Sequence, residues 1–227
     1  SPARDLMPDV TLHHLPHDGA ARRLAALSAA EMFLFPIDNL QESFGIAPVE
    51  AMAAGLPVVA SDWDGIRDTV GDGAGFRIPT TGARPEHVTA TGLRYHGGTD
   101  NYIQYLSQIS AVTQIDVGLM ADAVRRLIQD GDLRAQMGAS GQERARALFD
   151  WQVVIPEMQD LFAELDAIRR KADPARHPPI TAAALPVAPS PMTYLGAFPT
   201  EQLSTERQFR WSGTTTVSVT QMLALRD

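Results

Sequence analysis

The chain contains no cysteine, and among its 19 basic residues there is one lysine, Lys171. The first absence removes disulfides, thiolate metal sites and a cysteine nucleophile, and it leaves the compartment open. The second leaves arginine to carry the positive charge in a chain of net charge −8. An acidic chain with no basic stripe is a poor partner for nucleic acid or an anionic membrane, although a local arginine can still hold a phosphate. No apolar run approaches the ~18–20 residues that cross a bilayer. The opening SPARDLMPDV has neither the basic nor the apolar region of a secretory signal. These absences point to a soluble cytoplasmic protein. Serine at position 1 fits either methionine removal or excision from a longer chain.

What is present is ordinary globular composition, 44% hydrophobic and 20% charged over 227 residues, enough for one cored domain with a tail. Short apolar runs alternate with helical patterns through the first third. Residues 9–15 (DVTLHHL) read as a strand. Residues 19–29 read as a helix capped by Asp18, with Leu24 and Leu27 on its apolar side. MFLFPI, 32–37, is short enough for a buried strand. A polar loop then leads to a helix over 46–54, a strand at 57–61, a short helix near 64–70 and a strand at 75–79. Strand and helix alternating at this spacing predict an α/β fold, a Rossmann-like parallel sheet with flanking helices.

From 80 to 100 the period is lost, which predicts an insertion or long loop. Helices follow over 101–114 and 117–130, then a further helical stretch and a last amphipathic helix from Trp151 to Lys171. Beyond it, 172–199 is rich in proline and alanine and reads as a linker or surface strap. The tail, 200–227, holds a strand pattern at 214–220 and is too short to build a core alone, so it docks on the domain of residues 1–171 or on another chain.

The chemistry gathers at ESFGIAPVEAMAAGLPVV, residues 42–59. Gly45 permits unusual backbone angles and close approach of a ligand. The helix starts just after it, with Pro48 in the first turn, where a missing N–H costs nothing. The amides of Gly45, Ile46 and Ala47 then point out of the helix end and, with the helix dipole, make an anion site suited to a diphosphate or a sugar's hydroxyls. Glu42 precedes the helix and Glu50 lies about one turn inside it. A carboxylate accepting two hydrogen bonds matches a vicinal diol, as in a ribose or hexose. The alternative is a pair of carboxylates that only stabilise a helix N-terminus. Gly55 and Pro57 stop the helix and open the next strand.

This stretch resembles the signature of the family-4 retaining glycosyltransferases, E-x-F-G-x-x-x-x-E-A-M-A-x-G-x-P-V-V, and residues 42–59 match each defined position. Similarity in style runs from about residue 9 to 171, including FDW at 149–151, while the 80–100 stretch and the tail fall outside it. The resemblance implies the C-terminal, donor-binding half of a GT-B fold. It implies that Glu42 acts at the donor sugar with the amides of Phe44, Gly45 and Ile46, that Glu50 holds the ribose, and that the loop around Leu15 and Pro16 lies near the base. The ligand implied is a nucleotide sugar, with no metal and no other cofactor.

Family members place two further βα units ahead of this segment, and these usually carry an Arg and a Lys that neutralise the diphosphate. Only 41 residues precede Glu42 here, with no lysine among them. The expectation is therefore a truncated donor domain, lacking the acceptor domain and inactive alone, whether fragment, split subunit or degenerate half. Its exposed sheet edge would invite a partner chain or a homo-oligomer.

Other residues are weighed beside these. His13, His14 and His17 form a weak metal pattern, better read as a strand end and turn. GDGAGF, 71–76, follows a helix and precedes a strand, the reverse of a dinucleotide fingerprint, and reads as a turn. In SDWDGIRDTV, Asp62, Asp64 and Asp68 could hold hydroxyls, with Asp64 favoured as a helix cap. Arg67 and Arg77 are candidate phosphate contacts, Trp63 lines the cleft or packs, and Trp151 reads as core. The competing function is a non-catalytic binding or assembly module on the same fold, with a GT-B epimerase as a third reading.

Overall fold

The computed structural model describes residues 7–16, 19–172 and 195–208, which belong to two compact units: residues 1–25 with 204–227, and residues 26–203. In the first unit, residues 11–16 are irregular and mostly exposed, after a turn closed by Val10 N–H on Met7 O at 3.1 Å. The strand expected at 9–15 does not form. Its apolar–polar alternation has no partner strand among the described residues, and an isolated strand leaves its backbone groups unpaired. Helix α1 (Ala20–Ala29) forms as the pattern predicts. Asp18 and His17, and the strand pattern at 214–220, lie outside the described residues.

The second unit is built on a parallel sheet in the order β1 (Phe33–Phe35), β2 (Val58–Ser61), β3 (Gly75–Ile78), with Phe33 opposite Val58 and Val58 opposite Gly75. Helix α2 (Ile46–Ala53) joins β1 to β2, and α3 (Ile66–Thr69) joins β2 to β3. The uninterrupted VVAS run suits a central strand covered on both faces. Every residue of β2 is buried, and successive side chains divide between two clusters as a strand requires. Val58 and Ala60 join Met52, Trp63 and Ile66, whereas Val59 joins Ile78, Ala123 and Leu127. MFLFPI yields a shorter and more open strand than expected. Only 33–35 are extended, and Leu34 is exposed because β1 is an edge among the described strands.

The α/β fold is as the alternation predicts, but 80–100 is not a long loop. It holds β4 (Thr80–Gly82), a 3₁₀ turn (Pro85–Val88) and helix α4 (Thr89–His96). Helix α5 (Tyr102–Ser110) follows, opened by a reciprocal capping box between Asn101 and Gln104. No local period marks β4 because its partners are distant: antiparallel β5 (Gln114–Ile115) and parallel β6 (Glu201–Gln202). Helix α4 is likewise fixed from outside, by a fork from Arg94 to Asp100 with both bonds at 2.7 Å.

Helices α6 (Val117–Gln129), α7 (Gly131–Phe149) and α8 (Trp151–Lys171) are opened by aspartate caps, Asp116, Asp130 and Asp150, each accepting a backbone N–H at 2.9 Å. Two glycines let α7 close on α2. A Cβ on Gly138 would stand 2.1 Å from Gly55 O, and one on Gly141 3.1 Å from Met52 Cγ. Trp151 is not core: it is 70% exposed at the start of α8, a helix with no fully buried residue.

The boundary at 171 also shifts. Residues 195–203, expected as the end of a linker and the start of a tail, belong to the second unit. Leu195, Phe198 and Leu203 pack on its core.

Candidate functional site

The parallel strands β1 and β2 end on one side of the sheet, where open α/β sheets bind ligands. The loop after β1 carries residues 36–45 to the start of α2, and the loop after β2 carries 62–65 to α3. These two loops form the candidate site.

Asn39 begins the first loop as a turn, its side chain accepting Gln41 N–H at 2.9 Å and its carbonyl accepting Glu42 N–H at 3.0 Å. The half-buried Glu42 then turns back, and its Oε1 accepts Gly45 N–H at 2.8 Å. Gly45 is the N-cap of α2, at φ 82° and ψ 65°, a left-handed conformation that glycine adopts without penalty. This corrects one expectation. The Gly45 amide is not free for a ligand, because the nearest anion is the chain's own Glu42. The amides of Ile46 and Ala47 have no acceptor among the described residues, and Pro48 has no N–H. Two amides are therefore open at the helix end. A carboxylate offers about four lone-pair positions, so Glu42 retains capacity for hydroxyls beyond the bond to Gly45.

Ile46 is 66% exposed, its side chain lying open at the helix mouth. Phe44 is also exposed and stands edge-on to Phe149, with centroids 5.8 Å apart and planes at 89°. Glu50 is half-buried, four residues into α2, about 6 Å further along the helix axis. Leu15 and Pro16 are exposed in the first compact unit, so the site described here is built from the second unit alone.

The second loop presses against the first. A Cβ on Gly65 would fall 2.0 Å from Ser43 O, and one on Gly45 would fall 2.3 Å from Ile66 Cδ1. Asp64 is the one described non-glycine residue at positive φ, 32°. The expectation that its side chain caps α3 is not met, since the N-cap is Gly65 and that cap makes no side-chain bond. Burial raises the Asp64 carboxyl above the ordinary aspartate range, opposed by the Gly65 amide and by Arg67. Trp63 packs, fully buried, in the core.

Neither arginine proposed for phosphate is open. Arg67 bonds Asp62 Oδ1 at 2.9 Å and the carbonyls of Ala197 and Phe198 at 2.9 and 2.7 Å. Arg77 bonds Arg67 O and Asp72 Oδ1, each at 2.8 Å. Among the described residues no group of three His, Asp or Glu could hold a metal ion, and His13 and His14 lie in the first unit.

Sequence reasoning missed three supports of this site: Phe149 behind Phe44, Gly65 against Ser43, and the return of 195–203 to the second loop. FDW was visible as a pattern and Gly65 as a glycine in a turn. The return segment gave no signal, because its partners lie more than 100 residues away in the chain.

Residues 9–89 match the family described as Glycosyl transferases group 1. The chain is 29% identical over 141 residues to alpha-maltose-1-phosphate synthase of Mycolicibacterium smegmatis, covering 62% of this chain and 29% of that protein. It is 32% identical over 143 residues to phosphatidyl-myo-inositol mannosyltransferase of Mycobacterium leprae, covering 63% and 29%. It is 29% identical over 159 residues to D-inositol 3-phosphate glycosyltransferase of Corynebacterium efficiens, covering 67% and 29%. Among solved structures, sucrose-phosphate synthase of Thermosynechococcus elongatus aligns with a TM-score of 0.45 at 25% identity, over 74% of this chain and 33% of that one. The chain thus spans about 29% of the length of these curated relatives.

Proposed function

We propose that this chain supplies the donor-binding side of a family-4, GT-B glycosyltransferase that moves a sugar from a nucleotide sugar to an acceptor with retention of configuration. The observation that carries the reading is the helix end at Gly45–Ala47, with two open amides, bracketed by Glu42 and Glu50. The diphosphate sits at the amides of Ile46 and Ala47, where the helix dipole favours negative charge. Glu42, its carboxylate already oriented by Gly45, accepts hydroxyls of the transferred sugar beside Phe44, and Glu50 accepts those of the ribose.

The reading assigns no covalent nucleophile. Retention then requires the acceptor hydroxyl to attack from the face the phosphate leaves. The bond from the anomeric carbon to the phosphate oxygen breaks, the bond to the acceptor oxygen forms, and the acceptor proton passes to the departing phosphate. That departure needs charge stabilisation worth several kcal/mol. With Arg67 and Arg77 committed within the fold, the reading draws the cations from elsewhere in the protein or from a partner. The reading therefore makes the 227-residue chain inactive alone, requires no metal, and places the protein in the cytoplasm; among the described residues no helix is long and apolar enough to cross a membrane. Relatives named as transferases and synthases weigh against a non-catalytic module.

The test is titration calorimetry against UDP, GDP, ADP and their glucose and mannose conjugates. One nucleotide should bind, more weakly in Glu50→Ala, and its sugar conjugate should lose its added affinity in Glu42→Ala. Binding that neither substitution alters would remove the proposal.

A further inference from the structure

Residues 195–200 return to the carboxyl end of β2 and are fastened there by a polar knot, while 201–203 continue along β4. The Arg67 guanidinium is at its centre: Nε donates to Asp62 Oδ1 at 2.9 Å, Nη1 to Ala197 O at 2.9 Å and Nη2 to Phe198 O at 2.7 Å. Thr200 Oγ1 donates to the other Asp62 oxygen at 2.8 Å and lies 3.4 Å from Thr80 Oγ1, while Thr80 N–H donates to Thr200 Oγ1 at 3.2 Å. Phe198 crosses the Trp63 ring edge-on at 5.9 Å, its carbonyl accepts Asp64 N–H at 3.1 Å, and Pro199 bridges Trp63.

The knot reaches the site in one further step. Asp64 is held by Phe198 O, and its neighbour Gly65 abuts Ser43 O so closely that no Cβ fits between them. Ser43 lies between Glu42 and the Gly45 cap. The path from the return segment to the α2 end therefore runs through backbone contacts and one planar, charge-assisted fork, not through adaptable side chains. Packed contacts of this kind shift as a unit when one member moves.

We infer that Arg67 is a positioning residue for the donor site, holding residues 195–200 against the 62–65 loop so that this loop fixes Glu42 and the Gly45 cap in their observed geometry. The inference rests on the donor reading above and adds two things to it. Residues outside the 9–89 family match take part in the site, and Arg67 serves by orientation instead of by touching phosphate. Lysine cannot replace it, since one ammonium cannot direct three donors in a plane to a carboxylate and two carbonyls.

The test is residue-resolved amide hydrogen exchange on the whole chain, for wild type, Arg67→Gln, Arg67→Lys and Thr200→Val, with nucleotide titration alongside. The Gly45 amide, protected by Glu42, should exchange about tenfold faster in Arg67→Gln and in Arg67→Lys, and by a smaller factor in Thr200→Val, while the Val59 amide in β2 keeps its wild-type rate. Affinity for the nucleotide that wild type binds should fall by about tenfold in both arginine variants. Faster exchange in 195–203 with an unchanged Gly45 amide would overturn the inference. If Arg67→Gln also exposes Val59, it has unfolded the sheet, and Thr200→Val, which removes one hydroxyl, decides by the same criterion. A wild-type chain that binds none of the nucleotides fails the donor reading, and the Gly45 exchange rate still decides whether Arg67 positions that loop.

Discussion

The Glu42 carboxylate accepts the Gly45 amide at 2.8 Å, so the residue proposed to hold the sugar also closes the loop that starts α2. The two roles separate by substitution. Glu42→Ala should cost about 1 kcal/mol, the usual effect of losing an acceptor at a helix N-terminus. Glu42→Gln should cost less, because its amide oxygen can still accept Gly45 N–H. Urea unfolding of the three proteins gives this order. If the stability of Glu42→Ala equals that of wild type, the bond has no structural weight.

Gly65 and Gly45 meet their neighbours differently. Gly65 has ordinary backbone angles, φ −65°, but a Cβ there would strike the Ser43 carbonyl at 2.0 Å. Gly65→Ala should cost about 1–3 kcal/mol by displacing the Glu42 loop. Gly45→Ala meets the Ile66 Cδ1 methyl and a left-handed backbone. Adding Ile66→Val removes that methyl and should recover the contact part of the loss, leaving a backbone part of about 1–2 kcal/mol. A double-mutant cycle on thermal unfolding reads both, and full recovery by Ile66→Val would exclude backbone strain at Gly45.

Asp100, 4% exposed in its side chain, takes a fork from Arg94 and a bond from Gln108 Nε2 at 2.9 Å. The Arg94 bonds hold its carboxyl down at about 2. A folded-state value below the unfolded value of about 3.9 makes this contribution complete above pH 4 and progressively lost as the pH falls through about 2. Wild type should therefore lose stability across that window, and Asp100→Asn should lose less there. Equal acid sensitivity of the two proteins, followed by circular dichroism, would place the acid transition elsewhere.

The buried Ser61 hydroxyl has no hydrogen-bond partner among the described residues. Ser61→Ala removes an unsatisfied polar group from the centre of the sheet and should be neutral or stabilising by up to about 1 kcal/mol. A melting temperature lowered by several degrees would mean that the hydroxyl is bonded in solution.

The parts of the fold that repeat locally could be read directly. Alternation of VVAS with helical stretches predicts the parallel sheet, whereas the aspartate caps at 116, 130 and 150 emerged only in the structure. The 9–15 pattern has the same local look as a strand and fails, because a strand also needs a neighbour. Trp151 looks like core and is exposed, because a helical stripe does not say whether anything covers it.

The sequence by itself determined where α2 begins, which residues surround that end, and the glycine that must stand at Gly45, since backbone angles, caps and motif spacing are properties of adjacent residues. Only the tertiary structure decided that Glu42 bonds the Gly45 amide, that Arg67 is bound by a segment 130 residues away, and that Gly65 leaves room for Ser43. Those outcomes depend on which groups meet in space. Each polar group there could have been satisfied by ligand, water or chain, and packing selected the chain.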